Sequence, residues 1–251
     1  MAYSACIELL FRKEAPVFAE RIGAAKVAGL DAVEFWQWSN KDLAAIEVAL
    51  KATGMPLAGI LCEPIANITN PATHEFFLEG VRASLQAAQR LGTKMMIAQG
   101  GNIVAGATRQ AQHRAIVDCL KRAADIVMGS GVVIALEPLN DRVDHPGYFL
   151  TSTTEGLDII DEVGRPEIRL LYDIYHAAVM EEPIELLAGR VDRIAHVHLA
   201  DTPGRHEPGT GQMDWQARLD WLAANGYRGL VGLEYTPVAE TGASLKFPSA
   251  G

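Results

Sequence analysis

VVIALEPLNDRVDHPGYFLTSTTEGLDIIDEVGRPEIRLLYDIY, residues 132–175, holds two apolar β-rich runs with an amphipathic stretch between them. VVIALEPL (132–139) and IRLLYDIY (168–175) are nearly continuous in apolar residues, the pattern of strands buried on both faces. Residues 153–163 carry apolar side chains at helical spacing. A strand, a helical crossover and a second strand imply parallel pairing, because the crossover returns the chain to the same end of the sheet.

The alternation continues in both directions. Upstream lie ACIELLF (5–11), DAVEFW (31–36), PLAGILC (56–62) and KMMIAQG (94–100); downstream lie IAHVHLA (194–200) and GLVGLEY (229–235). That makes eight strand-like runs. Helix-like stretches separate them at 17–29, 41–54, 73–91, 108–129, 153–163 and 214–225, with a shorter one at 183–189. Gly29 and Gly54 are C-terminal stops, and Asn40 is the expected N-cap of the second stretch. The run after the eighth strand is too short and Gly/Pro-rich for a long helix. Eight strand–helix units suit a closed (β/α)₈ barrel, with an open doubly wound sheet as the rival. No GxGxxG follows the first strand and no GxxxxGK[ST] occurs, which weakens the nucleotide-binding forms of that rival.

The chain has 251 residues, the usual size of such a barrel in one domain, and no Pro-, Ser- or charge-rich linker divides it. Residues 1–251 are therefore expected to form a single domain. Hydrophobic residues are 49% and charged residues 21%, which excludes a disordered chain. The net charge of −9 makes a phosphate-backbone partner unsuitable. Cys6, Cys62 and Cys119 are odd in number and widely spaced, fitting a reducing compartment. The N-terminus lacks a basic segment before its short apolar stretch, and no run is long enough for a membrane span. A soluble, cytoplasmic protein with neither nucleic-acid nor membrane partner is expected.

Four of the last strands carry a polar residue near the C-terminal end: Glu137 after VVIAL, Asp173 after IRLLY, His198 after IAHV and Glu234 after GLVGL. One acid at a strand end reads equally as a helix cap or a solvated loop residue. Four at corresponding positions on consecutive strands aim at one spot on the face where barrels hold their chemistry. Three carboxylates together repel one another, and a divalent cation relieves that. Their mostly oxygen donor set suits Mg²⁺ or Mn²⁺.

On the segments ALEPLN (135–140), HPGYFLTSTTEGLDII (145–160), LLYDIYHAAVMEE (170–182), HVHLADTPGRHEPGTGQMDW (196–215) and GYRGLVGLEYTP (226–237), the chain resembles the hydroxypyruvate isomerase family. That family belongs to the xylose-isomerase-like superfamily of TIM barrels. The resemblance is strong over about 132–237 and collinear before that, as in GLDAVEFW (29–36). It implies one divalent metal on Glu137, Asp173, His198 and Glu234, with Glu137 and Glu234 doubling as acid/base residues. It also implies that His176 and Arg205 contact substrate oxygens. The implied substrate is a small keto acid or sugar, and the implied reaction is an aldose–ketose-type isomerisation through an enediolate. Superfamily members are often dimers or tetramers, so a homo-oligomer is the assembly the resemblance allows.

The chain departs from the family at two places. His198 stands where several hydroxypyruvate isomerases carry Gln and ketose 3-epimerases carry His, and VDHPGYF (143–149) carries a different residue before its proline. Two alternatives follow: a ketose 3-epimerase, and a C-glycoside-cleaving lyase subunit with His145 as base. Endonucleases on the same barrel need more His and a basic groove than seven His and a charge of −9 supply. His145, Glu63 and Gln99 join the expected substrate-binding residues, Glu34 is a further pocket candidate, and Trp36 with Trp38 is a candidate apolar wall. His196 shares a strand face with His198, one layer deeper, as packing or as a support for the ligands.

Overall fold

All eight strand-like runs form strands, and all pair in parallel. The computed structural model describes residues 1–246; residues 247–251 of the expected domain lie outside the described residues. The strands are β1 (Ala2–Cys6), β2 (Ala32–Glu34), β3 (Ile60–Leu61), β4 (Met95–Gln99), β5 (Val133–Glu137), β6 (Ile168–Asp173), β7 (Ile194–Leu199) and β8 (Leu230–Leu233). Their order is β2-β1-β8-β7-β6-β5-β4-β3. The ends of that order also meet: Val33 bridges Leu57, the Ala58 N–H donates to the Val33 carbonyl at 2.7 Å, and the Leu61 N–H donates to the Trp36 carbonyl at 3.0 Å. The sheet thus closes on itself as the (β/α)₈ barrel that the alternation implies.

Helices α1 (Glu20–Val27), α2 (Leu43–Thr53), α3 (His74–Leu91), α4 (Arg109–Val127), α5 (Thr153–Val163), α6 (Ile174–Val179), α7 (Trp215–Ala224) and α8 (Thr241–Ser244) connect or follow the strands. Side-chain caps start several of them: Thr108 on α4, Ser152 on α5 and Asp214 on α7. Gly54 ends α2 at φ 66°, a left-handed position that glycine reaches without strain.

Four expectations shift. The first strand covers 2–6 rather than 5–11, because the Cys6 carbonyl accepts the Leu9 and Leu10 N–H groups and turns the chain. Ile7 and Leu10 are still fully buried, so their apolar pattern looks the same from the sequence. The cap of α2 is Asp42, whose carboxylate accepts the Ala45 N–H, not Asn40. The sixth strand stops at Asp173, and residues 174–179 continue as α6. The short stretch at 183–189 contains a single 3₁₀ turn, Ile184–Leu187.

Period-two alternation sorts the strand residues. One set, with Ile60, Met96, Ile134, Leu136, Leu170, Val197 and Leu233, packs with helical residues such as Phe77, Leu120 and Leu157 in the large outer core. The other set faces the barrel axis. Leu61, Met95, Ile97, Ala135 and Leu171 fill one side of the interior as a separate apolar cluster. The β1/β2/β7 side is filled instead by Ser4, Glu34, His196 and His198, all buried. Among the described residues, no helix is long and apolar enough to cross a membrane.

Candidate metal centre and substrate pocket

Strand register assembles the cluster. Asp173 lies opposite His198 in the β6–β7 pair, and Gln99 lies opposite Glu137 in the β4–β5 pair. Glu234 follows β8 directly. Each of Glu137, Asp173, His198 and Glu234 offers one ligand atom, and these atoms lie within 4.8 Å of one another. All four residues are buried. His198 Nδ1 is 3.4 Å from a Glu137 oxygen, 3.5 Å from a Glu234 oxygen and 4.0 Å from Asp173 Oδ2.

Asp173 unites the two readings open to a strand-end acid. Its Oδ1 caps α6, accepting the Tyr175 N–H at 2.7 Å and the His176 N–H at 3.1 Å. Its Oδ2 is buried with no hydrogen-bond partner. His198 Nδ1 is likewise buried and without one. Buried polar atoms are rarely left unpaired. Three carboxylates and an imidazole converging on one point, two of their donor atoms unpaired, fit a hard divalent cation with oxygen and nitrogen ligands.

The electrostatics follow from this crowding. Burial, then the Glu234 and Asp173 charges, push the Glu137 carboxyl up to about 7, with His198 opposing. Burial alone would raise Asp173, but His176, Arg205 and His198 facing it hold it below the usual carboxylate range. Burial opposes a charge on His198, yet the Glu234 and Glu34 carboxylates outweigh it and raise the imidazole well above its ordinary value.

The two glutamates differ in their partners. Glu234 Oε1 accepts the Trp36 indole N–H at 2.7 Å, and Oε2 accepts an Arg205 N–H at 2.6 Å. Among the described residues, the one ion-pair contact of the Glu137 carboxylate is with the His198 ring, at 3.4 Å. Both oxygens of Glu234 are therefore engaged, while Glu137 faces the cavity without a strong donor.

A cavity of about 380 Å³ opens over the cluster. Glu137, Glu234, His198, His176, Arg205, His145 and Gln99 all line it. Leu61, Ile65, Ile97 and Leu139 form its apolar wall together with Trp36. His176 Nδ1 accepts the Asn140 backbone N–H at 3.0 Å, so in the neutral ring the proton sits on Nε2. Burial lowers its pKa, which favours that neutral ring. Nε2 is buried without a hydrogen-bond partner, 3.6 Å from Asp173 Oδ2, and free to donate.

Arg205 adopts φ 55°, unusual for a side chain with Cβ. Its loop is held by the buried Asp201 carboxylate, which accepts the N–H groups of Thr202, Gly209 and Met213. Its guanidinium stacks over Tyr175 at 5.0 Å and lies 3.5 Å from Asp144, while its buried Nε has no hydrogen-bond partner. His145 is half-buried, 5.6 Å from the His176 ring, and burial lowers its pKa.

Not every expected residue reaches the cavity. Glu63 accepts bonds from the Trp38 and Ser39 N–H groups and the Ser39 hydroxyl, bracing that turn, and is not among the lining residues. Trp38 donates to Ser84 at 3.1 Å and also stays out of the lining. Glu34 is buried among Ser4, His196 and His198 inside the barrel, not on the cavity wall. The sequence treats Trp36 as apolar wall only; its indole N–H finds Glu234 across 198 residues of chain, which no local pattern signals.

The chain matches the family described as xylose isomerase-like TIM barrel over residues 22–248. It is 35% identical over 178 residues to a hydroxypyruvate isomerase of Escherichia coli, covering 70% of this chain and 69% of that one. It is 29% identical to a 2-oxo-tetronate isomerase of Cupriavidus necator, covering 97% and 95%. Among solved structures it is similar to an AP endonuclease, family 2, from Brucella melitensis, with a TM-score of 0.90, 28% identity and coverage of 98% and 97%.

Proposed function

Because the chain belongs to the xylose isomerase-like TIM barrel family, we propose that it is a divalent-metal-dependent isomerase of hydroxypyruvate or a related short 2-oxo acid. The whole chain would serve as one catalytic domain. The observation that carries this reading is the unequal setting of the two glutamates above the four-residue cluster. The relatives named hydroxypyruvate isomerase and 2-oxo-tetronate isomerase support the same substrate class.

Glu137, Asp173, His198 and Glu234 would hold the cation, Mn²⁺ or Mg²⁺ by their donor set. When bound, it supplies Lewis-acid polarisation of the substrate carbonyl. Glu137 removes a proton from the hydroxyl-bearing carbon and returns it to the former carbonyl carbon. The hydroxyl proton moves to the old carbonyl oxygen, so hydroxypyruvate and tartronate semialdehyde have one formula. The His176 Nε2–H and the Arg205 Nε–H, both unpartnered, donate to substrate oxygens. The guanidinium fork is suited to the carboxylate.

An epimerase needs a second free base on the opposite face of one carbon. Glu234, with both oxygens accepting hydrogen bonds, is poorly disposed for that role. A nucleic-acid substrate is disfavoured by the net charge of −9 and by a cavity sized for a small molecule.

The test is solvent deuterium exchange followed by proton NMR, with Mn²⁺ removed and restored. We expect exchange into hydroxypyruvate or a 2-oxo-tetronate, abolished by chelator and faster than into any neutral ketohexose. No exchange with any keto acid, or preference for a ketohexose, would overturn the proposal.

A further inference from the structure

A second polar layer lies within the barrel beside the four-residue cluster. Glu34, at the end of β2, is 3% exposed. Its Oε2 accepts the Ser4 hydroxyl at 3.0 Å and lies 2.7 Å from His196 Nε2. Its Oε1 lies 3.1 Å from His198 Nε2. Among the described residues, neither of those last two atoms has a well-aligned hydrogen bond, and they face each other at 3.1 Å. Glu34 contacts Ser4, His196 and His198 directly, so the trio can brace His198 beside the neighbouring cluster.

Space for the brace comes from Gly232. A Cβ there would stand 2.3 Å from Glu34 Oε1, 2.7 Å from His196 Nε2 and 2.7 Å from His198 Cδ2. Register puts Gly232 opposite His198 in β7–β8 and opposite Ser4 in β1–β8. The missing side chain on β8 therefore lets a carboxylate from β2 reach a histidine on β7.

We propose that Glu34 is a positioning residue that orients His198 as a ligand. A neutral imidazole carries one N–H, and the partner of that N–H decides which nitrogen keeps a lone pair. With a cation in the cluster displacing the second proton, a buried anion at Nε2 keeps the remaining proton there and leaves Nδ1 as the lone-pair donor. Nδ1 is the atom that faces Glu137, Asp173 and Glu234. Without Glu34, the tautomer with a proton on Nδ1 points that proton at the other ligands, and the ring loses its anchor. This inference rests on reading the four-residue cluster as a metal centre.

The test has two arms. Glu34→Gln keeps the shape but removes the anion, and its Mn²⁺ dissociation constant, read from the free-ion EPR signal, should rise about 10–100-fold. Activity at saturating Mn²⁺ should fall far less than affinity. In the second arm, ¹⁵N-histidine NMR of the Mg²⁺-loaded wild-type protein should show His198 with its proton on Nε2. This arm decides the question even where Glu34→Gln fails to fold. A folded Glu34→Gln with wild-type Mn²⁺ affinity, or a His198 proton on Nδ1, overturns the role of Glu34 alone. Failure of the wild-type protein to bind Mn²⁺ overturns the metal reading and this inference together.

Discussion

Gly232→Ala adds one methyl group at the point where three polar side chains meet. Gly232 has an ordinary strand backbone without a positive φ, so only space requires glycine there. The added Cβ would lie 2.3 Å from Glu34 Oε1, and the two histidine contacts would be 2.7 Å. Carbon–oxygen contacts relax to roughly 3.3 Å or more, so Glu34 must retreat by about 1 Å or β8 must shift. Overpacking of this kind costs about 1–3 kcal/mol. For a chain of this size that lowers the melting temperature by about 2–12 °C. The retreat also carries Glu34 away from His198, so Mn²⁺ affinity should fall toward that of Glu34→Gln, with turnover at saturating Mn²⁺ changed far less. Differential scanning calorimetry in chelator reads the first effect; Mn²⁺ titration and turnover read the second. A Gly232→Ala protein that melts, binds Mn²⁺ and turns over as the wild type does would refute the close approach and the brace built on it.

Three other outcomes are expected. Arg205→Lys removes the fork and one partner of Glu234, so kcat/KM for keto acids should fall by about 10–100-fold, the scale of a charged hydrogen bond; an equal loss with neutral ketoses would show that Arg205 does not read the carboxylate. Because Glu137 titrates near 7 in the metal-free protein and gives up its proton to a cation, apparent Mn²⁺ affinity should rise with pH through about 6–8; calorimetry in buffers of different ionisation enthalpy should show proton release, and a pH-independent affinity would contradict it. His145→Ala should leave isomerase activity within about tenfold of wild type, whereas a general base contributes roughly 10²–10⁴-fold; a loss in that larger range would restore the three-base, lyase-type reading.

The barrel is legible because buried parallel strands must be apolar on both faces, and helices must return the chain to the same end. Glu137, Asp173, His198 and Glu234 stand out because each interrupts such a run at its C-terminal end. Local pattern is weaker where two structures bury the same residues. Ile7 and Leu10 are as buried in a turn as in a strand, which hides the true end of β1. Glu63 sits at a strand end like the others, yet the 38–39 turn takes its carboxylate.

The eight-unit alternation and the four polar strand ends can be read along the chain, since both depend on periodicity and burial within each run. What each polar atom does is set in the closed barrel. Asp173 gives one oxygen to a helix and keeps the other for the cluster; Glu234 has both oxygens taken by Trp36 and Arg205; Glu34 turns from the cavity toward His198. These outcomes depend on register between strands, on an empty position at Gly232 and on donors far away in sequence. A side chain's identity is local, but the partner that fixes its orientation and charge comes from wherever the closed barrel brings another strand beside it.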